Sequence, residues 1–260
     1  MIHLKELMKK RPVFGMAFYS GATSVVEIAA SYGLDYLFID AEHTPFEVTE
    51  LRHVIMTAEL AGISALVRVT QPDEVEIRKA FEMGAEGVII PHVRTREDME
   101  ICVRGAKYPP LGRRGYDGGV HAAKFGSFGY NAEEYIETSN REQLVMPMAE
   151  DFEFIDNIDE ILDVPGVDAV SFGPADFALS KNIRKFYQID HPEVAAGLNT
   201  ILEKCAAKKI DVMVPVVPPT YEGTQALIDR GVRMFTLGND LLHLQRSLGA
   251  LKQDVIDKLK

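Results

Sequence analysis

Two acids pose the first chemical question about this 260-residue chain. Glu150 closes the run Leu-Val-Met-Pro-Met-Ala-Glu, and Asp176 closes the run Ala-Val-Ser-Phe-Gly-Pro-Ala-Asp that begins at Ala169. Each run has the length and composition of a buried strand, and Phe152–Leu162 between them carries apolar residues at helical spacing. A strand–helix–strand unit lays its two strands side by side, about 5 Å apart. An acid just past the end of each strand then brings two carboxylates within reach of one divalent cation. Oxygen ligands suit Mg²⁺ or Mn²⁺ best, with Co²⁺ or Zn²⁺ as alternatives. Zinc more typically recruits His or Cys, which neither strand end offers. Either acid alone is equally well explained as a helix N-terminal acid facing the helix dipole; the metal reading rests on the pair.

Other polar residues collect at the ends of apolar runs. Asp40, Glu42 and His43 follow Tyr-Leu-Phe-Ile, Arg68 sits inside Ala-Leu-Val-Arg-Val, and His92 follows Ile-Ile-Pro. An arginine flanked by apolar strand residues either pairs with a buried acid or projects toward an anionic ligand, where its fork suits carboxylates and enolates. His43 beside two acids has the composition of a base with an orienting carboxylate. An ordinary surface histidine and a helix-capping Asp40 are the plain alternatives. His92 reads as structural.

These residues need a frame. Apolar runs at Val13–Phe18, Tyr36–Asp40, Ala65–Val69, Gly87–Pro91, Leu144–Ala149, Asp168–Phe172, Val212–Val217 and Met234–Leu237 read as strands. Helical patterns fill the gaps at Ser24–Tyr32, Glu47–Ala61, Glu74–Met83, Arg96–Ala106, Phe152–Leu162, Pro192–Lys208, Tyr221–Asp229 and from Asp240 onward. Strict alternation implies parallel strands with helical crossovers. The expected fold is α/β, a (β/α)8 TIM barrel spanning 1–260 as one domain, with reactive residues at the C-terminal ends of the strands. A doubly wound open sheet produces the same alternation, but no Gly-x-Gly-x-x-Gly turn follows the first strand. One stretch breaks the rhythm, the Gly-, Pro- and aromatic-rich segment Tyr108–Asn131. Its aromatics predict an ordered loop, near the site or at a subunit contact.

A net charge of −11 excludes general affinity for nucleic acid. No apolar run approaches the ~20 residues of a membrane span, and Met-Ile-His-Leu-Lys-Glu-Leu-Met lacks the apolar centre of a signal peptide. Cys102 and Cys205 fall in predicted helices and are expected as buried free thiols. A cytoplasmic protein is the expectation.

Taken in order, the motifs resemble the HpcH/HpaI family of class II, metal-dependent pyruvate aldolases. The resemblance is carried by Phe-Ile-Asp-Ala-Glu-His at 38–43, Leu-Val-Arg-Val at 66–69, Gly-Ala-Glu-Gly-Val-Ile-Ile-Pro at 84–91 and Tyr-Pro-Pro-Leu-Gly-Arg-Arg-Gly at 108–115. Glu150 with Asn157, Gly-Pro-Ala-Asp-Phe at 173–177 and Leu-Gly-Asn-Asp-Leu-Leu at 237–242 complete it. It implies a lyase that cleaves a 4-hydroxy-2-oxo acid to pyruvate and an aldehyde through a metal-stabilised enolate. By resemblance, Glu150 and Asp176 match the metal ligands, and Arg68 matches the arginine on the substrate oxo group. His43 with Asp40 behind it matches the proton-transfer pair, and the backbone N–H groups of Ala175 and Asp176 match those that hold the pyruvyl carboxylate. Glu82 falls where some members place an acid that reaches the histidine across a subunit interface. A dimer-based homohexamer is likewise implied, with the C-terminal helix, about 240–260, exchanged between partners. The apolar stripe Leu241, Leu242, Leu244, Leu248 and Leu251 is compatible with that exchange and with ordinary barrel packing.

The sequence departs from the family at Met148, where many members have glutamine two residues before the metal glutamate. Two rival readings remain, a citrate-lyase-β-like acyl-CoA lyase and a barrel that binds a small carboxylate without turning it over.

Overall fold

The computed structural model describes residues 3–184 and 189–260. Among these, eight parallel strands close into a barrel in sequence order. They are β1 (Val13–Phe18), β2 (Tyr36–Asp40), β3 (Ser64–Arg68), β4 (Gly87–Ile90), β5 (Leu144–Ala149), β6 (Ala169–Phe172), β7 (Asp211–Pro215) and β8 (Met234–Asn239). Helix α1 (Leu4–Met8) packs Leu4 and Met8 against the lumen residues at the N-terminal end, and the outer helices are α2 (Thr23–Ser31), α3 (Val48–Ala61), α4 (Glu74–Glu82), α5 (Arg96–Ala106) and α6 (Ala132–Glu142). They continue with α7 (Phe152–Asp156), α8 (Ile158–Leu162), α9 (Pro174–Ser180), α10 (Pro192–Lys208), α11 (Tyr221–Asp229) and α12 (Asp240–Leu251). The (β/α)8 expectation holds, and each predicted strand lies within a few residues of its observed bounds. None of the helices is long and apolar enough to cross a membrane.

Local chemistry explains where the helices begin. Asp73 accepts from the N–H groups of Val75 and Glu76 at the start of α4, and Asn131 accepts from Glu133 and Glu134 at the start of α6. Thr95 and Asp98 form a reciprocal capping box that opens α5. Each device satisfies donors that a helix N-terminus leaves unpaired.

Alternation along the strands divides the core in two. Tyr36 and Phe38 on β2, Leu66 on β3, Ile89 on β4 and Leu144, Met146 and Met148 on β5 meet Met213 and Met234 in the lumen. Their neighbours Leu37, Ile39, Ala65, Val67, Val145 and Ala149 face outward into the layer of helices. The same period continues upward and decides the polar residues. Asp40 follows Phe38, Arg68 follows Leu66 and Glu150 follows Met148, so all three point inward at the C-terminal mouth. Cys102 and Cys205 are buried and unbridged, as expected, and burial raises both thiols well above their usual range.

Three differences from the sequence reading are instructive. The expected helix Phe152–Leu162 is two short helices, α7 and α8, broken at Asn157, whose side-chain amide donates to the Arg94 carbonyl at 2.8 Å. Helices α1, α6 and α9 were not anticipated; α1 and α9 are short, and α6 is polar over most of its length. The segment Tyr108–Asn131 is ordered, but it packs beneath the barrel rather than near the mouth. There Arg114 donates to Gln143 at 2.7 Å and lies over the rings of Phe81 and Tyr108, while His121 meets Glu59 at 2.8 Å. Of the two places expected for this loop, the one beside the site is excluded.

Candidate active site

Register places the central pair. Asp40 and Arg68 are direct partners across β2 and β3, and both point into the lumen. The guanidinium therefore meets the carboxylate laterally, with Nε donating to Oδ1 at 3.0 Å and Nη2 to Oδ2 at 2.5 Å. Arg68 is 5% exposed and Asp40 is fully buried. Burial alone would lower the arginine's pKa; the hydrogen bonds and charge of Asp40, with Glu42 and Glu150 adding, outweigh it and raise it. Both alternatives for Arg68 are realised together: it pairs with a buried acid and it lines a cavity.

That cavity, about 310 Å³, opens at the mouth between Arg68, His43, Met148, Tyr19, Thr236 and the Gly173–Asp176 segment. Glu150 is buried, 1% exposed, behind the Gly173 wall of this cavity. Its Oε1 accepts the backbone N–H of His92 at 2.8 Å. Oε2 lies on the Gly173 side, 3.2 Å from where a Cβ on that residue would be, and the same Cβ would be 2.8 Å from Glu150 Cβ. Gly173 thus leaves the gap through which Glu150 faces the first turn of α9, where Ala175 and Asp176 sit. Burial, more than any neighbour, pushes the Glu150 carboxyl up to about 7, with the charges of Glu42 and Asp176 contributing. A buried acid next to two others is a poor anion without a cation nearby. Its donor set, carboxylate oxygens at an open cavity, suits a hard divalent ion.

Among the described residues no cluster of three or more His, Cys, Asp or Glu groups with ligand geometry occurs. Glu150 and Asp176 would supply two protein oxygens, leaving further positions for solvent and substrate.

The structure corrects the expected His43–Asp40 pair. Asp40 gives its carboxylate to Arg68 and to the backbone N–H groups of Glu42 and His43, at 3.0 and 3.2 Å, not to the imidazole. The His43 side chain is 63% exposed at the mouth, and Glu42 Oε2, 3.7 Å away, is the acid paired with it. Glu82 ends α4 on the opposite side of the barrel, paired with Arg78, so one chain does not bring it to the mouth. Ala175 and Asp176 line the cavity as expected.

Two further residues belong to the site. Glu42 places Oε2 2.9 Å from Arg68 Nη1, and His92 joins the same acidic cluster. The His92 ring spans Glu42 Oε1 at 3.2 Å, Asp151 at 3.3 Å and Glu150 at 3.4 Å, from a backbone held in the left-handed region, φ 55°. A nonglycine residue there is uncommon and marks a position fixed by its surroundings. No pattern in the sequence announces it; its place after Pro91, at the end of a strand, was the available clue.

A family model described as HpcH/HpaI aldolase/citrate lyase matches residues 15–247. The chain belongs to the HpcH/HpaI family. It is accordingly an enzyme of the lyase class. A 2-keto-3-deoxy-L-rhamnonate aldolase of Escherichia coli O9:H4 (strain HS) is 31% identical over 241 residues, 92% of this chain and 87% of that protein. A 2-dehydro-3,6-dideoxy-6-sulfogluconate aldolase of Pseudomonas putida is 28% identical over 235 residues, 90% and 89% of the two chains. Among solved structures, an HpcH/HpaI aldolase of Desulfitobacterium hafniense DCB-2 superposes with a TM-score of 0.90 at 30% identity, covering 98% of this chain and 97% of that one. The HpcH/HpaI frame is thus continuous with the barrel and mouth described above.

Proposed function

We propose that this HpcH/HpaI protein is a divalent-metal-dependent aldolase that cleaves a 4-hydroxy-2-oxo acid to pyruvate and an aldehyde. The observation that carries the reading is the meeting of Arg68 and the Ala175–Asp176 turn on one cavity at the barrel mouth, with Glu150 buried directly behind its Gly173 wall. The two relatives named above act, by their names, on 2-oxo-3-deoxy sugar acids, which supports a substrate of that class here.

Glu150 and Asp176 would hold the cation, with Mg²⁺ or Mn²⁺ favoured by the all-oxygen donor set. When bound, such an ion supplies Lewis-acid polarisation of the 2-oxo group. The chain's own residues do the rest. The first N–H groups of α9, which have no partner within the helix, receive the substrate carboxylate at Ala175 and Asp176. Arg68, locked by Asp40, presents Nη1 to the 2-oxo oxygen, so its attraction strengthens as negative charge gathers there. His43 at the rim accepts the proton of the C4 hydroxyl. The O–H pair then forms the aldehyde C=O at C4 as the C3–C4 bond breaks, the pair of that bond becomes the C2=C3 double bond, and the C2=O pair moves onto oxygen to give the enolate of pyruvate. Return of the proton to C3 completes the turnover.

The decisive assay follows release of pyruvate from a 4-hydroxy-2-oxo acid, or the reverse condensation of pyruvate with a short aldehyde, with Mn²⁺ and with a chelator. Metal-dependent turnover is the expected result. Turnover untouched by chelation overturns the metal requirement, and pyruvate binding without turnover favours a binding barrel. Arg68→Lys keeps the charge but loses the fork, and kcat/KM is expected to fall about 10²-fold or more.

Assembly belongs to the same proposal. Leu241, Leu244, Leu248 and Leu251 on α12 are 40–55% exposed in the single chain, which leaves an apolar stripe at alternating three- and four-residue spacing uncovered. A second copy of this chain, contributing its own C-terminal helix, covers such a stripe. The family resemblance extends this contact to a dimer-based hexamer, which would offer Glu82 a route to the histidine of a neighbouring mouth. A monomeric mass by light scattering would sink this part.

A further inference from the structure

Arg68 has two working edges, and only one is settled. Asp40 takes the Nε–Nη2 edge in a bidentate pair. Nη1, the remaining nitrogen, meets Glu42 Oε2 at 2.9 Å and the thioether sulfur of Met148 at 3.8 Å. A thioether is a weak acceptor. The carboxylate contact is short, yet Oε2 is buried and accepts no well-formed hydrogen bond. It is an ion pair of poor alignment, and alignment is most of what makes such a contact hard to give up.

Glu42 has somewhere else to go. Its other oxygen, Oε1, lies 3.2 Å from His92 Nε2, and Oε2 is 3.7 Å from His43 Nε2. The Glu42 backbone cannot drift, because its N–H donates to Asp40 Oδ1 at 3.0 Å, the same carboxylate that locks Arg68. His92 is held as firmly, its N–H on Glu150 and its backbone in the left-handed region. Arg68 and both histidines therefore ring one carboxylate whose side-chain torsions are its main freedom.

We propose that Glu42 is a positioning residue that occupies the cavity-facing nitrogen of Arg68 until a substrate oxygen displaces it toward His92 and His43. In the ligand-free site it stands where the 2-oxo oxygen will stand and cancels the charge that oxygen needs. Once displaced, it keeps its negative charge against the histidines and orients His43 toward the C4 hydroxyl. This deepens the aldolase reading and rests on it for the identity of the incoming oxygen.

Glu42→Gln retains the shape of the side chain and removes its charge, with Glu42→Ala as the second variant should the amide disturb folding. Calorimetric titration of Mn²⁺-loaded protein with pyruvate, and separately with oxalate, reads the competition directly. The variants are expected to bind both about threefold to tenfold more tightly than the wild type, because a competitor worth roughly one hydrogen bond has gone. Turnover separates in the opposite direction, with kcat down at least about tenfold and KM lower. In a His92→Gln background, adding Glu42→Gln should cost clearly less in kcat than it does alone, the signature of two residues acting as a unit. Unchanged or weaker binding of pyruvate and oxalate by both Glu42 variants overturns the proposal. So does additivity in the double variant. If the wild type binds pyruvate but cleaves no 4-hydroxy-2-oxo acid, the aldolase reading fails while the binding comparison still decides the role of Glu42. Failure of the wild type to bind either probe overturns both.

Discussion

The two ends of this barrel both bury charge, and they do it differently. At the N-terminal end Lys107, 1% exposed, directs Nζ to Asp168 Oδ2 at 2.9 Å and donates to the carbonyls of Gln143 and Asn140 at 2.6 and 3.1 Å. Those three partners match the three donors of an ammonium group. Asp168 is completed by Lys5 at 2.5 Å and the Val145 N–H at 3.0 Å. At the C-terminal end one arginine faces Asp40, Glu42 and, across the mouth, Glu150, and one oxygen of Glu42 has no aligned donor. Around Lys107 and Asp168 the donors and acceptors are paired, with two lysines to one carboxylate. The upper cluster has a surplus of acid and a nitrogen held by a poor partner. A saturated cluster can only hold the fold; an unsaturated one at an open cavity has capacity left for a cation and a substrate.

The hardest way to break that contrast is at Glu150. If its charge exists for a cation, Glu150→Gln should lower metal-dependent kcat/KM by about 10³ or more, several kcal/mol of transition-state stabilisation. The amide oxygen can still accept the His92 N–H. Removing a buried charge that burial pushes toward neutrality should leave the melting temperature of metal-free protein unchanged or higher. A fall of several degrees in that temperature would mean that Glu150 is structural and the two ends are alike.

Lys107 is the matching test below. Lys107→Met keeps most of the volume but strips donors from two carbonyls and one carboxylate oxygen, so a loss of about 2–4 kcal/mol in unfolding free energy is expected. Turnover measured well below the transition should stay within about twofold of the wild type, since Lys107 lies at the far end of the strands. A large loss of kcat in a folded Lys107→Met protein would show that the lower cluster also communicates with the mouth.

The sequence made these two ends unequally legible, and the reasons are physical. Period-two alternation fixed the inward direction of Asp40, Arg68 and Glu150 once the strands were located, and the upper acids announced themselves by following apolar runs. Lys107 did not, because a lysine at the end of a helical pattern ordinarily reads as a solvated cap; only the tertiary fold brings the Asn140 and Gln143 carbonyls and Asp168 around it. His92 and Glu42 escaped for a related reason. Their contacts depend on loop torsions, a left-handed residue in one case and a side chain folded back onto Arg68 in the other, and neither has a periodic signature. Asp40 was placed correctly but given the wrong partner: beside His43 in sequence, it faces Arg68 across the sheet, and the cross-strand neighbour wins.

The smallest expected effect is at Met148, and it probes how finely the upper end is balanced. Its sulfur gives Arg68 Nη1 a weak acceptor at 3.8 Å, and its methyl packs near Gly173. Glutamine is close in length and carries a true acceptor. Met148→Gln should therefore hand Nη1 a better resting partner, worth at most about 1.5 kcal/mol. That partner competes with substrate rather than assisting it, because the same nitrogen must turn to the 2-oxo oxygen. KM for the oxo acid is expected to rise about threefold to tenfold, kcat to stay within about twofold, and the melting temperature to rise slightly. A lower KM instead would mean that Nη1 is not the substrate-facing nitrogen, and that the under-satisfied end of the barrel uses its spare capacity elsewhere.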